Sequence, residues 1–115
     1  MYCINREQYP NIDPVAVYEL IPNDSRKSFY GKAKVIETPE AYYLQSYNTF
    51  VCVLSKDTTN PVFVRLWDGY SATTMRHINA FMASQGLPTC GGKKWWDALP
   101  VNQTLTYSEI LNAGA

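Results

Sequence analysis

The chain has 115 residues, ten basic and ten acidic side chains, and a formal net charge of +0. That length fits one domain with an ordinary core, and the balanced charge argues against a duplex binder working through a broad basic face, since such binders draw most of their affinity from phosphate neutralisation, while leaving room for a local basic patch. Nine Tyr and three Trp lift the aromatic fraction to 14%, and these side chains give large contact area at low entropic cost, in cores and at interfaces alike.

Residues 1–30 read as a less regular segment of a single α+β domain spanning 1–115. Asp13-Pro14 can open a short helix through Val15, Val17, Tyr18 and Ile21, stopped by Pro22, or the same residues can run extended. Asn23-Asp24-Ser25 makes a loop.

Residues 32–67 read as a four-stranded antiparallel sheet. Lys32 to Thr38 is the first strand and Ala41 to Tyr47 the second, with Tyr43, Gln45 and Tyr47 on one face and Tyr42, Leu44 and Ser46 on the other. Asn48 suits a tight turn. Phe50 to Ser55 is the third strand, with Phe50, Cys52 and Leu54 opposed to Val51 and Val53. Val62 to Trp67 is the fourth, setting Val62, Val64 and Leu66 against Phe63, Arg65 and Trp67. Both faces carry apolar or aromatic side chains. One is expected under a helix, and the other under a terminal segment, a second copy of the chain or a partner. A homodimer is the expectation on that ground.

Residues 71–85 read as the main helix, packed on the sheet, with Ser71 as its N-cap, Gly86 as its stop and Pro88 beyond. Met75, Ile78, Phe81 and Met82 form its core stripe. His77, the chain's single His, falls off that stripe. Short helical turns follow near 93–99 and 107–112. The first carries adjacent Trp95 and Trp96, of which one is expected in the core and one on the surface. The second opens on a capping box, Thr106-Tyr107-Ser108-Glu109.

The chemistry-bearing residue types are sparse. Cys3, Cys52 and Cys90 lack metal-ligand spacing and read as free thiols of a reducing compartment. With one His and no Cys pair, no metal site is expected. Gly91-Gly92-Lys93-Lys94 lacks the spacing and the Ser or Thr of a phosphate loop, and no cofactor motif is present. No apolar run approaches a membrane span and no secretory leader is visible, so a cytoplasmic, membrane-free protein is expected. One local pattern stands out. Arg26, Lys27, Lys32 and Lys34 surround Phe29 and Tyr30, the mix of cations and rings that grips nucleotides and single-stranded nucleic acid.

Three runs carry a resemblance. They are Ser28-Phe29-Tyr30-Gly31-Lys32-Ala33-Lys34-Val35-Ile36-Glu37, then Leu44-Gln45-Ser46-Tyr47-Asn48-Thr49, then Arg65 through Phe81 (RLWDGYSATTMRHINAF), with Gly92-Lys93-Lys94-Trp95-Trp96 added. In these the chain resembles a family of short proteins carried by tailed phages, prophages and plasmids of gut Firmicutes and their relatives. The resemblance covers roughly residues 28–98. It implies a setting rather than a mechanism, and it transfers no catalytic or binding residue.

In that setting the leading expectation is a non-enzymatic binding protein, acting in the host cytoplasm on a host protein or complex and inhibiting a defence system or an enzyme. The alternatives are a binder of nucleotide or single-stranded nucleic acid, including a sponge for a signal nucleotide, and a virion accessory protein. The expected partner surface is Tyr70, Arg76, His77, Lys93, Lys94, Trp95 and Trp96, because the amides and dipole of a helix N-terminus favour acidic groups, Arg76 can fork onto them, and an exposed Trp would supply an apolar anchor. Nucleotide contact would fall to Arg26, Lys27, Phe29, Tyr30, Lys32 and Lys34.

Overall fold

The fold is seen in a computed structural model, which describes residues 14–21, 31–57, 59–87 and 92–113. The elements are β1 (Ala16–Glu19), β2 (Ala33–Glu37), β3 (Ala41–Ser46), β4 (Thr49–Ser55), β5 (Val62–Arg65), α1 (Ala72–Ser84), α2 (Lys93–Asp97), β6 (Thr104–Thr106) and α3 (Tyr107–Asn112). All strand pairs are antiparallel, and their order in the sheet is their order in the chain. The class is α+β. The expected four strands are corrected to six, because one strand is added at each edge of the expected set.

At one edge the ambiguous 15–21 segment takes its extended form. Val15 N donates to Glu37 O at 2.8 Å and Leu20 N to Ala33 O at 2.9 Å, tying both ends of β1 to β2. At the other edge the three residues of β6 pair with β5, setting Leu105 opposite Phe63. Thr106 then ends the strand and caps α3: its side chain accepts from Glu109 N while the Glu109 carboxylate accepts from Thr106 N. That reciprocal cap is the capping box read from the sequence.

The register sorts side chains into two faces. Val35, Leu44, Cys52 and Arg65 form one cross-strand row and Leu54, Phe63 and Leu105 the next. This is the face that α1 covers, and Met75, Ile78, Phe81 and Met82 are all buried against it. Val17, Ile36, Tyr43, Val53 and Val64 form the row on the opposite face. There Ile36 is fully buried and the others are half-buried.

One irregularity redirects the chain toward α1. The β3–β4 register shifts between Leu44 and Gln45, which pair with Cys52 and Phe50 respectively, so Val51 is an extra residue. The alternation expected for this strand is therefore corrected. Val51 and Cys52 both enter the core, and Phe50 leaves that face to pack edge-on against Tyr43 at 5.8 Å between ring centroids. A bulge of this kind bends a strand and frees ladder groups. Here the Val51 carbonyl accepts from both Leu66 N (2.9 Å) and Trp67 N (3.2 Å), which steers the backbone off β5 before the helix begins. Among the described residues no helix is long and apolar enough to cross a membrane.

Candidate functional site

The segment Arg65 to Ser71 builds a corner between β5 and α1. Arg65 is only 4% exposed, and its guanidinium is met by main-chain carbonyls. Its Nε donates to Trp67 O at 2.8 Å, and its Nη1 donates to Trp96 O at 2.7 Å and Leu99 O at 3.1 Å. Its Nη2 reaches Gly69 O at 3.4 Å, and its plane lies over the Trp96 ring at 4.5 Å. Burial disfavours the charge, and the carboxylates of Asp97 and Asp68 oppose that effect. Trp96 Nε1 donates to the same Gly69 carbonyl at 2.7 Å. Gly69 is needed where it stands, because a Cβ there would lie 2.6 Å from the Trp67 ring. Trp95 Nε1 donates to Ile110 O at 2.7 Å and so ties α2 to α3.

Both tryptophans are thus buried, at 3% and 0% exposure. This corrects the expectation that one of them faces solvent: each indole N–H finds a buried carbonyl, so neither ring has to stay at the surface to satisfy its polar atom.

Ser71 caps α1 as its spacing predicts. Its backbone is extended and its hydroxyl accepts from Thr74 N at 3.1 Å. Thr74 Oγ1 then shares a hydrogen bond with Ser46 Oγ at 3.0 Å, and Ser46 Oγ shares another with His77 Nδ1 at 2.7 Å. His77 is 1% exposed, against the expectation of a surface histidine. It lies off the apolar stripe yet points at the end of β3, where Ser46 gives it a hydrogen bond. Burial, aided by the neighbouring Arg76 charge, pushes its pKa down to about 4, so the ring is neutral at pH 7. The Ser46–His77 distance is that of a nucleophile and its base. Both groups are closed off from solvent, however, and an imidazole of that pKa is a weak base at neutral pH. The arrangement ties helix to sheet.

A cavity of about 200 Å³ opens beside this chain of hydroxyls, lined by Tyr47, Thr49, Val51 and Trp67 together with Ser46, Ser71 and Thr74. Tyr47 occupies the first turn position of the β3–β4 hairpin with φ 56°, a left-handed conformation that a side chain adopts at a cost. That turn takes Tyr47 off the face it would share with Tyr43 and Gln45. Its ring lies 5.9 Å from the His77 ring and borders the cavity.

The outer rim is cationic and aromatic. Lys32 Nζ sits over the Tyr47 ring at 5.5 Å, and Lys93 Nζ over the Tyr70 ring at 5.7 Å. Lys93 also pairs with Asp97 one turn on in α2. Lys94 is exposed and Arg76 half-buried. Lys34, opposite Gln45 and Glu19 in the ladder, belongs to the far face of the sheet. Arg26, Lys27, Phe29 and Tyr30 lie outside the described residues, as do Cys3 and Cys90. Cys52 is a free thiol whose burial raises its pKa well above the usual range. Among the described residues no group of His, Cys, Asp and Glu is placed to hold a metal ion.

Residues 18–98 match the model of a family of unknown function, DUF8033. The chain belongs to DUF8033. No curated protein and no solved structure matches it. The DUF8033 span takes in the Arg65 corner, the Ser46–His77 contact and the cavity, and it stops before β6 and α3. Sequence reasoning placed Tyr70, Arg76 and the lysines near the start of α1. It missed Tyr47 and Ser46, whose only signal was a tyrosine at a two-residue hairpin turn.

Proposed function

We propose that this chain is a non-enzymatic binding protein of a phage or mobile element, inhibiting a host defence system or host enzyme by direct protein contact in the host cytoplasm. The observation that carries this reading is the pair of lysine-over-tyrosine contacts, Lys32–Tyr47 and Lys93–Tyr70, flanking the start of α1. Arg65, Trp95 and Trp96 are spent inside, where they hold the corner rigid. Tyr47, Lys32 and Lys93 are exposed on that rigid frame, and Tyr70 is half-buried beside Lys93. Tyrosines already fixed in place lose little freedom on binding, and the adjacent ammonium groups suit an acidic partner surface.

The test is capture from nuclease-treated host lysate, comparing the native chain with Lys32→Glu/Lys93→Glu. One dominant host protein is expected with the native chain and lost with the charge reversals, while thermal melting is unchanged. Capture indifferent to both reversals would place the surface elsewhere.

A nucleotide-binding reading has one specific support: Tyr47, which carries Lys32 over its ring, borders a cavity with Trp67 on its wall and the hydroxyls of Ser46, Thr49, Ser71 and Thr74 around it. A base could stack there while its phosphate meets Lys32. Thermal shifts with a panel of nucleotides, abolished by Tyr47→Ala, would favour this reading over protein capture.

A further inference from the structure

Among the described residues five large apolar side chains are exposed; Tyr47 and Leu111 stand apart, and the other three gather at one edge. Val15 is 51% exposed, Tyr18 37% and Ile21 80%. All three lie on or beside β1, the outermost strand at its side of the sheet among the described residues. In an antiparallel ladder, alternate residues turn their N–H and C=O groups to the same neighbour. Because Leu20 N donates to Ala33 O, Ala16, Tyr18 and Leu20 address β2 and Val17 and Glu19 turn their backbone groups outward; ahead of the strand the alternation breaks, since Val15 N also donates to β2, at Glu37 O. Natural edge strands are commonly blunted by proline, lysine or a bulge. The four residues of β1 are Ala, Val, Tyr and Glu, and the Glu19 carboxylate is already engaged by Gly31 N at 2.7 Å.

The open positions 15, 18 and 21 are symmetric about Tyr18. We propose that β1 pairs antiparallel with β1 of a second copy of the chain, about a two-fold axis at Tyr18. In that register Tyr18 faces the partner's Tyr18, Val15 faces the partner's Ile21, and Val17 faces the partner's Glu19. The last pair brings together the residues whose backbone groups point outward, so each such pair exchanges both of its main-chain hydrogen bonds. Every exposed apolar side chain of the edge meets another, and no like charges are opposed. Sliding the register by two residues one way puts Glu19 on the partner's Glu19. Sliding it the other way strips Ile21 of its partner. A foreign strand would have no need of this symmetry. The two sheets join into one, and the pairing rests on β1 alone, so the dimer does not depend on the proposed binding function.

Two experiments test it. Sedimentation of the native chain should give twice its mass of 13.1 kDa. Val17→Pro, which deletes an outward N–H and spares the ladder to β2, should shift the population to monomer. In a Cys3→Ser/Cys90→Ser background, Tyr18→Cys treated with copper phenanthroline should form a disulfide-linked dimer at least ~10-fold faster than Ala16→Cys, since directly opposed positions lie within disulfide reach. If Val17→Pro does not fold, the cross-linking pair decides alone. A monomer at about 0.1 mM would overturn the proposal. So would a dimer that cross-links no faster through Tyr18→Cys than through Ala16→Cys, because its interface would then lie elsewhere.

Discussion

Arg65 and His77 are both closed inside this domain, at 4% and 1% exposure, and the fold accommodates them in different ways. A guanidinium does not release its proton in a protein. The corner therefore surrounds Arg65 with main-chain carbonyls from Trp67, Gly69, Trp96 and Leu99 and lays Trp96 against it. An imidazole can release its proton. His77 does so, and a single serine hydroxyl at 2.7 Å then suffices for Nδ1. A permanent buried charge dictates the path of the backbone around it, and two stretches of chain, 67–69 and 96–99, converge on Arg65. A group that can become neutral needs no such convergence of carbonyls, and it brings sensitivity to acid in return.

The largest expected effect breaks the first half of that contrast. Arg65→Met keeps much of the stem but leaves the carbonyls of Trp67 and Leu99 without their side-chain donor, and Trp96 O with main-chain donation only, from Leu99 N. Urea unfolding should show a loss of roughly 3–5 kcal/mol, since each orphaned buried group costs about 1–3 kcal/mol. Arg65→Lys should recover little, because one ammonium cannot span carbonyls that a fork reaches. A stable Arg65→Met variant would show that the corner is held by apolar packing alone.

Acid tests the second half. Between pH about 4 and about 6.5 the unfolded chain binds the His77 proton and the folded chain does not. The stability that this histidine allows is complete above pH 6.5 and falls as the pH drops toward 4, by up to about 3 kcal/mol. His77→Gln should flatten that slope in melting curves taken across the range. An unchanged slope would assign the acid response to other groups.

Two smaller changes sharpen the comparison. Gly69→Ala drives a methyl group into the Trp67 ring at 2.6 Å and should cost roughly 1–3 kcal/mol, read as a lowered urea midpoint. Ser71→Ala removes the cap whose acceptor aligns Thr74 beside Ser46, at about 0.5–2 kcal/mol. If the cap also steadies the hydroxyl chain, Ser71→Ala should loosen His77 and raise its pKa, visible by NMR titration.

Much of the frame was legible in the sequence. Period-two alternation exposed β2 to β5, and Ser71 with the Met75, Ile78, Phe81, Met82 stripe located α1. β1 was not, because Val15, Tyr18 and Ile21 carry helical spacing by accident of an exposed edge. β6 was not, because three residues hold no period. The candidate site was less legible still. Nothing local reports that the indole N–H groups of Trp95 and Trp96 meet carbonyls 15 and 27 residues away in sequence, and burial of both rings follows from those distant partners. Tyr47 left its expected face through a backbone turn, not through a change of pattern.

The late arrival of β6 bears on how the chain folds and fails. The first five strands follow one another along the chain, but β5 meets β6 only after both α1 and α2 have been made. Closing that longer loop is slower than closing a hairpin. Until it closes, Val62 and Val64 flank a bare sheet edge and Phe63 lacks Leu105 across from it. A chain nicked or truncated between α1 and α2 would keep that edge open permanently. Such a fragment should precipitate through strand-to-strand association, so proteolytic damage in that interval would remove the protein from solution as well as weaken it.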